Sequence, residues 1–224
     1  MWSLVLIILM GAEGSGLALG EKTYDFFVSG QKKGEIKYVI DTLREGDTLL
    51  YRFTSLTLLE GDTVDSTVVN FRNDFTPVSS AKYLNTPQTG KMTLKVTYKP
   101  DKAIINLETA SGSKEMDVKY KDRVYDNEEI TLILPFLDFG DKDQIEIRDL
   151  SSFSGTVVKI KVTRKGQEEI DLNGEKVKAE RYDLKFLGKK VSVYYAPENR
   201  RMVYYLDRTQ KIEMKSQKSG EEVR

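Results

Sequence analysis

Histidine and cysteine are both absent from the chain, so acid–base chemistry near neutral pH would fall to pairs of carboxylates. Three pairs stand close enough in sequence to consider: Glu128-Glu129, Asp141 with Asp143, and Glu168-Glu169. Two carboxyls flanking a cleft can cleave a glycosidic bond, and their separation decides the route. The chain has 35 acidic residues, however, and solvated turns and outward strand faces account for most of them. The stretch Asp126–Asp149 carries eight acidic residues against Lys142 and Arg148 and is rich enough in oxygen to suggest Ca²⁺. It lacks the D-x-D-x-D-G loop and the closing bidentate Glu that make such a site specific. Without His and Cys, zinc, copper and haem lose their usual ligands, and Ser-His-Asp and Cys-His catalysis are excluded. No catalytic residue, metal or cofactor is therefore expected.

The charges balance, 35 basic against 35 acidic, which argues against a nucleic-acid partner whose phosphates would demand a cationic surplus. The C-terminal third is locally basic, with Lys189, Lys190, Arg200, Arg201, Arg208, Lys211, Lys215 and Lys218. Tyr194, Tyr195, Tyr204 and Tyr205 are interleaved there, a pattern able to touch anionic headgroups or a glycan. An ordinary salt-bridged β surface reads the same way, so peripheral membrane contact stays an open alternative.

The opening Met1–Met10 run is apolar and is followed by small residues, the build of an export signal. Ala18-Leu19-Gly20 fits the small-x-small cleavage rule before Glu21, and Ala12-Glu13-Gly14 fits it too. Residues 1–20 are read as a signal peptide and 21–224 as a single β-rich domain, periplasmic or extracellular. No Lys or Arg precedes the run, which leaves an uncleaved anchor or a buried N-terminal strand as alternatives. An exported chain without Cys has no disulfides, so its core alone must hold it.

The elements that would position any site are strands. Leu94, Val96 and Tyr98 alternate with Lys95 and Thr97, and Met116, Val118 and Tyr120 with Asp117 and Lys119. Val158, Ile160 and Val162 alternate with Lys159 and Lys161, and Ile36 and Tyr38 flank Lys37. Each pattern describes a strand with one buried face. Asn173-Gly174 is a type I′ hairpin signal, and other Gly, Pro and Asp clusters separate the remaining runs. About a dozen strands with short connections predict a largely antiparallel sheet. One segment departs from this, Asp126–Gly140. Asp126 with Glu129 resembles a capping box, and Ile130, Ile133, Leu134 and Leu137 share a helical face until Pro135 ends or kinks it. Ile130, Leu132, Leu134 and Phe136 also fit a strand, but the short helix is favoured. The fold class expected is mostly β: a large antiparallel curled sheet, or an open or half barrel, with one short helix on or inside its concave face.

Tyr24-Asp25-Phe26-Phe27-Val28 followed by Gly30-Gln31-Lys32-Lys33-Gly34-Glu35 resembles the opening of the exported domain-of-unknown-function family 3108. Val124-Tyr125-Asp126 before the apolar Ile130–Phe139 segment, then Asn173–Ala179 and the Val191–Tyr195 hairpin, follow the same order of parts. The chain departs from the family's frequent W-x-s near the last hairpin, where it has Val193-Tyr194-Tyr195. The resemblance implies a β-rich periplasmic or envelope protein, similar in outline to the curled sheets of lipoprotein carriers, and implies no chemistry.

The leading expectation is a non-enzymatic envelope protein that holds an apolar ligand, such as a lipid acyl chain or an apolar peptide, beside the 130–139 segment. The contacts expected are Leu132, Leu134, Phe136, Leu137 and Phe139, the densest apolar residues after the leader. The same segment would serve as a plug in an envelope scaffold with a filled core, which binds a protein partner by its strand edges. A carboxylate-based polysaccharide-active enzyme is the third reading.

Overall fold

The structure, a computed structural model, describes residues 16–59, 62–86 and 90–217. The apolar run Met1–Met10, and with it most of the expected leader, lies outside the described residues, as does Lys218. Eight strands come first: β1 (Gly20–Val28), β2 (Gln31–Glu45), β3 (Thr48–Leu59), β4 (Asp62–Phe71), β5 (Pro77–Thr86), β6 (Gly90–Tyr98), β7 (Lys102–Thr109) and β8 (Gly112–Lys119). A short β9 (Tyr125–Asp126) leads into the helix α1 (Ile130–Ile133) and a 3-10 turn over Leu134–Phe136. Six strands then close the chain: β10 (Gln144–Ser151), β11 (Thr156–Leu172), β12 (Glu175–Phe186), β13 (Lys189–Tyr195), β14 (Met202–Asp207) and β15 (Ile212–Ser216).

All fifteen strands form one sheet. Two meanders, β8 back to β1 and β15 back to β10, join where β1 pairs β15 antiparallel, and β9 lies parallel on β10 at the far edge. The expected strand alternation is present throughout: Leu94, Val96, Val158, Ile160 and Val162 are buried while Lys95, Lys159 and Lys161 face water. Asn173 and Gly174 both take positive φ, +56° and +83°, as the type I′ turn requires.

The connection from β8 to β9 dictates the curl. Those two strands are the opposite edges of the sheet, and a flat sheet of this width would separate them by about 65 Å. Only residues 120–124 connect them, a reach of about 20 Å at full extension. The sheet must therefore roll until its ends meet. They meet by overlap, and the two edges do not pair. Leu150 and its cross-strand partner Val157 turn away from the interior and pack on Leu94, Val96, Ala103 and Ile105 of β6 and β7. The concave side of the N-terminal end thus covers the outer side of the C-terminal end, as in a scroll. This is the expected open curled sheet with one short helix inside.

The rolled interior holds the main core, including Phe53, Val69, Phe71, Ile133, Leu134, Val162, Val193 and Tyr195. Close strand approach has a sequence signature at Gly34, beside the bulge between Phe26 and Phe27. A Cβ at Gly34 would collide with the Leu58 carbonyl oxygen on the neighbouring strand. We expect Gly34→Ala to cost about 1–3 kcal/mol in urea unfolding, because a backbone atom and not a flexible side chain must give way.

Candidate functional site

The helical segment enters the scroll through its β9 edge. Tyr125 and Asp126 lie against Asp149 and Leu150 of β10. The turn that follows keeps half of the expected capping box: Asp126 N–H donates to Glu129 Oε1 at 3.0 Å, but Asp126 Oδ1 accepts from Glu128 N–H at 3.0 Å, and the helix itself starts after Glu129 without a side-chain cap. One turn of α-helix then passes into the 3-10 turn at Leu134, and Pro135 sits at its start, where no amide is needed. Two contacts clamp this corner to the concave face of the N-terminal meander. Tyr98 Oη donates to Asp126 Oδ2 at 2.6 Å, and Lys82 Nζ reaches Glu128 at 2.7 Å and Asp65 at 3.2 Å.

Of the five residues expected as ligand contacts, Leu132, Leu134 and Phe139 are buried in the main core, and Phe136 and Leu137 are half-buried against it. The Phe136 ring lies 5.4 Å from Phe75 and 5.1 Å from the Arg200 guanidinium, and Phe139 lies 6.0 Å from Tyr182. Two openings flank α1, and Thr131 borders both. The first is a slot bordered by Tyr24, Tyr38, Leu132 and Met202; Leu17 also lines it, and only about 30 Å³ remains empty. The second is a cleft of about 320 Å³ between Ile130 and the sheet of β10–β14. Val158, Ile160, Leu184, Val191 and Tyr205 form its wall, and Phe153, Phe186 and Leu187 its rim. Leu132 thus borders the slot, and the cleft is lined instead by Ile130 and Thr131 from the same helix.

A separate depression of about 400 Å³ lies among Arg72, Asp74, Lys99, Tyr120 and Arg123. Its walls mix these polar groups with Pro77, Val78, Pro100 and Val124, and Arg123 is engaged with the Asp74 carbonyl and the Tyr125 ring. The apolar cleft is the better candidate for a specific ligand, since binding sites are mostly apolar walls with a few placed polar groups.

One such polar group is Asp149. It borders the cleft, is 6% exposed, and its Oδ1 has no hydrogen-bond partner among the described residues. Burial, with the fields of Asp126 and Glu128 added, pushes its carboxyl up to about 8. Burial likewise raises Asp126, and burial plus the field of Asp126 raises Glu129, whose Oε2 is also unpartnered. Asp149 is a residue that attention to carboxylate pairs overlooked. A signal was present: Ile145, Ile147 and Asp149 share one strand face, so the acid continues an apolar row inward.

The carboxylate pairs singled out from sequence are dispersed. Glu128 is held by Lys82 and Glu129 lies buried in the cap. Glu168 pairs with Arg181 at 3.4 Å and Glu169 with Lys176 at 2.9 Å; Asp143 stands 3.8 Å from Arg164. Among the described residues no group of three or more acidic side chains is placed to hold a metal ion, and no helix is long and apolar enough to cross a membrane.

A family model described as a domain of unknown function, DUF6134, matches residues 147–217, the C-terminal meander that walls the cleft. The matching family is thus a different one from family 3108, whose likeness rested on spacing and hydrophobicity that many antiparallel meanders share. No curated protein matches the chain in sequence. Among solved structures the chain is similar to the beta-barrel-like protein of domain of unknown function DUF1849 from Brucella abortus, with a TM-score of 0.53 and 11% identity. That likeness covers 88% of this chain and 94% of the other, and at this identity it speaks for the fold alone.

Proposed function

We propose that this chain is an exported, non-enzymatic envelope protein that holds an apolar ligand, a lipid acyl chain or similar small molecule, in the cleft beside Ile130. The observation that carries this reading is the rim. Leu187 is 79% exposed and sits at φ +45°, a backbone region that disfavours branched apolar side chains. Asn or Gly would take that backbone conformation with less strain, and Leu187, so exposed, gains no core packing in return. Phe153, 42% exposed, stands at the same rim, so two of the most exposed large apolar side chains among the described residues converge on one opening.

The scaffold reading is weaker on the free edge. β8 carries Lys114, Glu115, Asp117 and Lys119, charges that discourage strand addition. For the enzyme reading, the expected carboxylate pairs lie outside the cleft or are tied up in ion pairs.

Leu187→Asn separates a binding role from a folding role. Stability is expected to stay level or rise by less than about 1 kcal/mol, since Asn tolerates positive φ. Uptake of the uncharged dye N-phenyl-1-naphthylamine is expected to fall severalfold. Unchanged dye uptake would remove the cleft from consideration. Export is tested on protein recovered from its native envelope, where N-terminal sequencing is expected to begin at Leu19 to Glu21, or at Ser15 for the earlier site. Native mass spectrometry of the same sample is expected to show a bound apolar molecule, and intact Met1 in a cytosolic fraction would contradict export.

A further inference from the structure

We propose that the ligand of this cleft carries an ammonium group that seats on the carboxyl of Asp149, which makes the preferred class an apolar chain or ring with an amine head. This rests on the cleft being a ligand site and adds the chemistry of the head group. Asp149 borders a cavity whose wall is built from Val158, Ile160, Leu184 and Val191; it is more than nine-tenths buried, with one carboxyl oxygen unpartnered among the described residues. A buried acceptor left unmade costs about 1–3 kcal/mol, so a ligand donor placed there gains more than one placed on an already satisfied group.

The surrounding charge selects the sign of that donor. Asp126 of β9 and Glu128 and Glu129 of the following turn all act on this corner. Lys82 of β5 is committed to Glu128 and Asp65, and Arg123 lies over the Tyr125 ring. Across the ladder, the β11 partner of Asp149 is Val158, and β14 contributes the phenol of Tyr205. Lys189 stands at the cleft lining, engaged with Gln210 and the Phe186 ring. The charged groups whose fields act on Asp149 are the acids Asp126 and Glu128, and they favour any positive charge beside it: a proton in the empty cleft, an ammonium in the filled one. The exchange balances simply. The neutral carboxyl and R–NH₃⁺ become a carboxylate–ammonium pair, and the displaced proton goes to solvent.

Decylamine, decanol and decanoate share a chain and differ in head, so their displacement of N-phenyl-1-naphthylamine from the full chain tests the assignment. Decylamine is expected to bind roughly tenfold tighter than decanol at pH 7, and decanoate weakest. Its affinity is expected to rise by up to tenfold per pH unit between pH 5.5 and 7.5, while decanol stays flat. Calorimetry in buffers of different ionisation enthalpy is expected to find about one proton released per decylamine bound. In Asp149→Asn, which keeps shape and neutrality, amine and alcohol should bind alike and no proton should appear. Dye binding with no amine preference, no pH slope and no proton release would overturn the ammonium assignment while leaving the cleft intact. Absence of dye binding altogether would overturn both, and the wild-type pH series decides the matter even if the variant folds poorly.

Discussion

Raising the pH from 5 to 8 is expected to destabilise the protein, with Asp149 alone contributing about 3–4 kcal/mol, and Asp149→Asn is expected to remove that part of the loss. Asp149 is held up to about 8 by burial and by the neighbouring acids Asp126 and Glu128. In the unfolded chain it titrates in the ordinary carboxylate range near 4. Between those two values the folded state keeps a proton that the unfolded state has released. Unfolding then sheds a proton, so each pH unit in that window weakens folding by about 1.4 kcal/mol. The contribution is complete below the unfolded value and is lost as pH rises through the folded one. Asp126 and Glu129, raised for the same reason of burial, act in the same direction. Other groups oppose this at low pH. Asp183, against its own burial, is held below its usual range by Arg181 and Ser192, and Asp25, also against burial, by Lys32 and Gln217. Their contribution is present above pH 4 and lost below it, which places the stability maximum near pH 5. Urea unfolding from pH 4 to 8.5, with an unchanged m-value, measures the slope. Parallel pH curves for wild type and Asp149→Asn would show that this carboxyl is not the group responsible.

The strands were legible because a one-sided sheet writes itself at period two, and Leu94-Lys95-Val96 or Val158-Lys159-Ile160 admit little else. The turn before the helix was legible in part, since Asp126 and Glu129 stand at the spacing that lets the Glu129 carboxylate reach back to the Asp126 amide. The scroll was not. Its closing pair, β1 with β15, joins residues such as Tyr24 and Ser216 that no local pattern connects. The overlap of Leu150 on Ile105 depends on how far fifteen strands twist. The α-helix covers only Ile130–Ile133 and passes into a 3-10 turn at Leu134, next to the Pro135 expected to end or kink it. For the site, apolar density identified a segment that belongs inside. Density alone cannot say which side chains pack on core and which border a void. The lining of the cleft is gathered from Ile130, Asp149, Phe153, Leu184, Leu187 and Tyr205, residues spread over most of the C-terminal half. Two of them did carry a local mark: an acid in an apolar row, and a leucine in a turn that calls for glycine or asparagine.

Leu134→Ala is expected to cost about 3–5 kcal/mol, the other large effect, and to exceed Phe136→Ala clearly. Leu134 is fully buried in the 3-10 turn, in one core cluster with Ile133, Phe75, Phe139 and Tyr195. The walls around it are hydrogen-bonded strands, and Tyr195 Oη is anchored on the Thr131 carbonyl, so little of the vacated volume can collapse. Cost then follows the cavity left behind as well as the methyl groups removed. Phe136 is half-buried, with Phe75 nearby and Arg200 over its ring, and its truncation is expected to cost roughly half as much, because water can enter the space. The order of the two values distinguishes a plug from a cavity lining. A side chain that borders an existing void has fewer contacts to lose, so a loss below about 1 kcal/mol at Leu134 would place a ligand space beneath the 3-10 turn. With the expected large loss, dye uptake by folded Leu134→Ala should match wild type, since Ile130 and Thr131 present the helix to the cleft. Reduced uptake together with a large stability loss would mean that the cleft's shape depends on the packing of the plug.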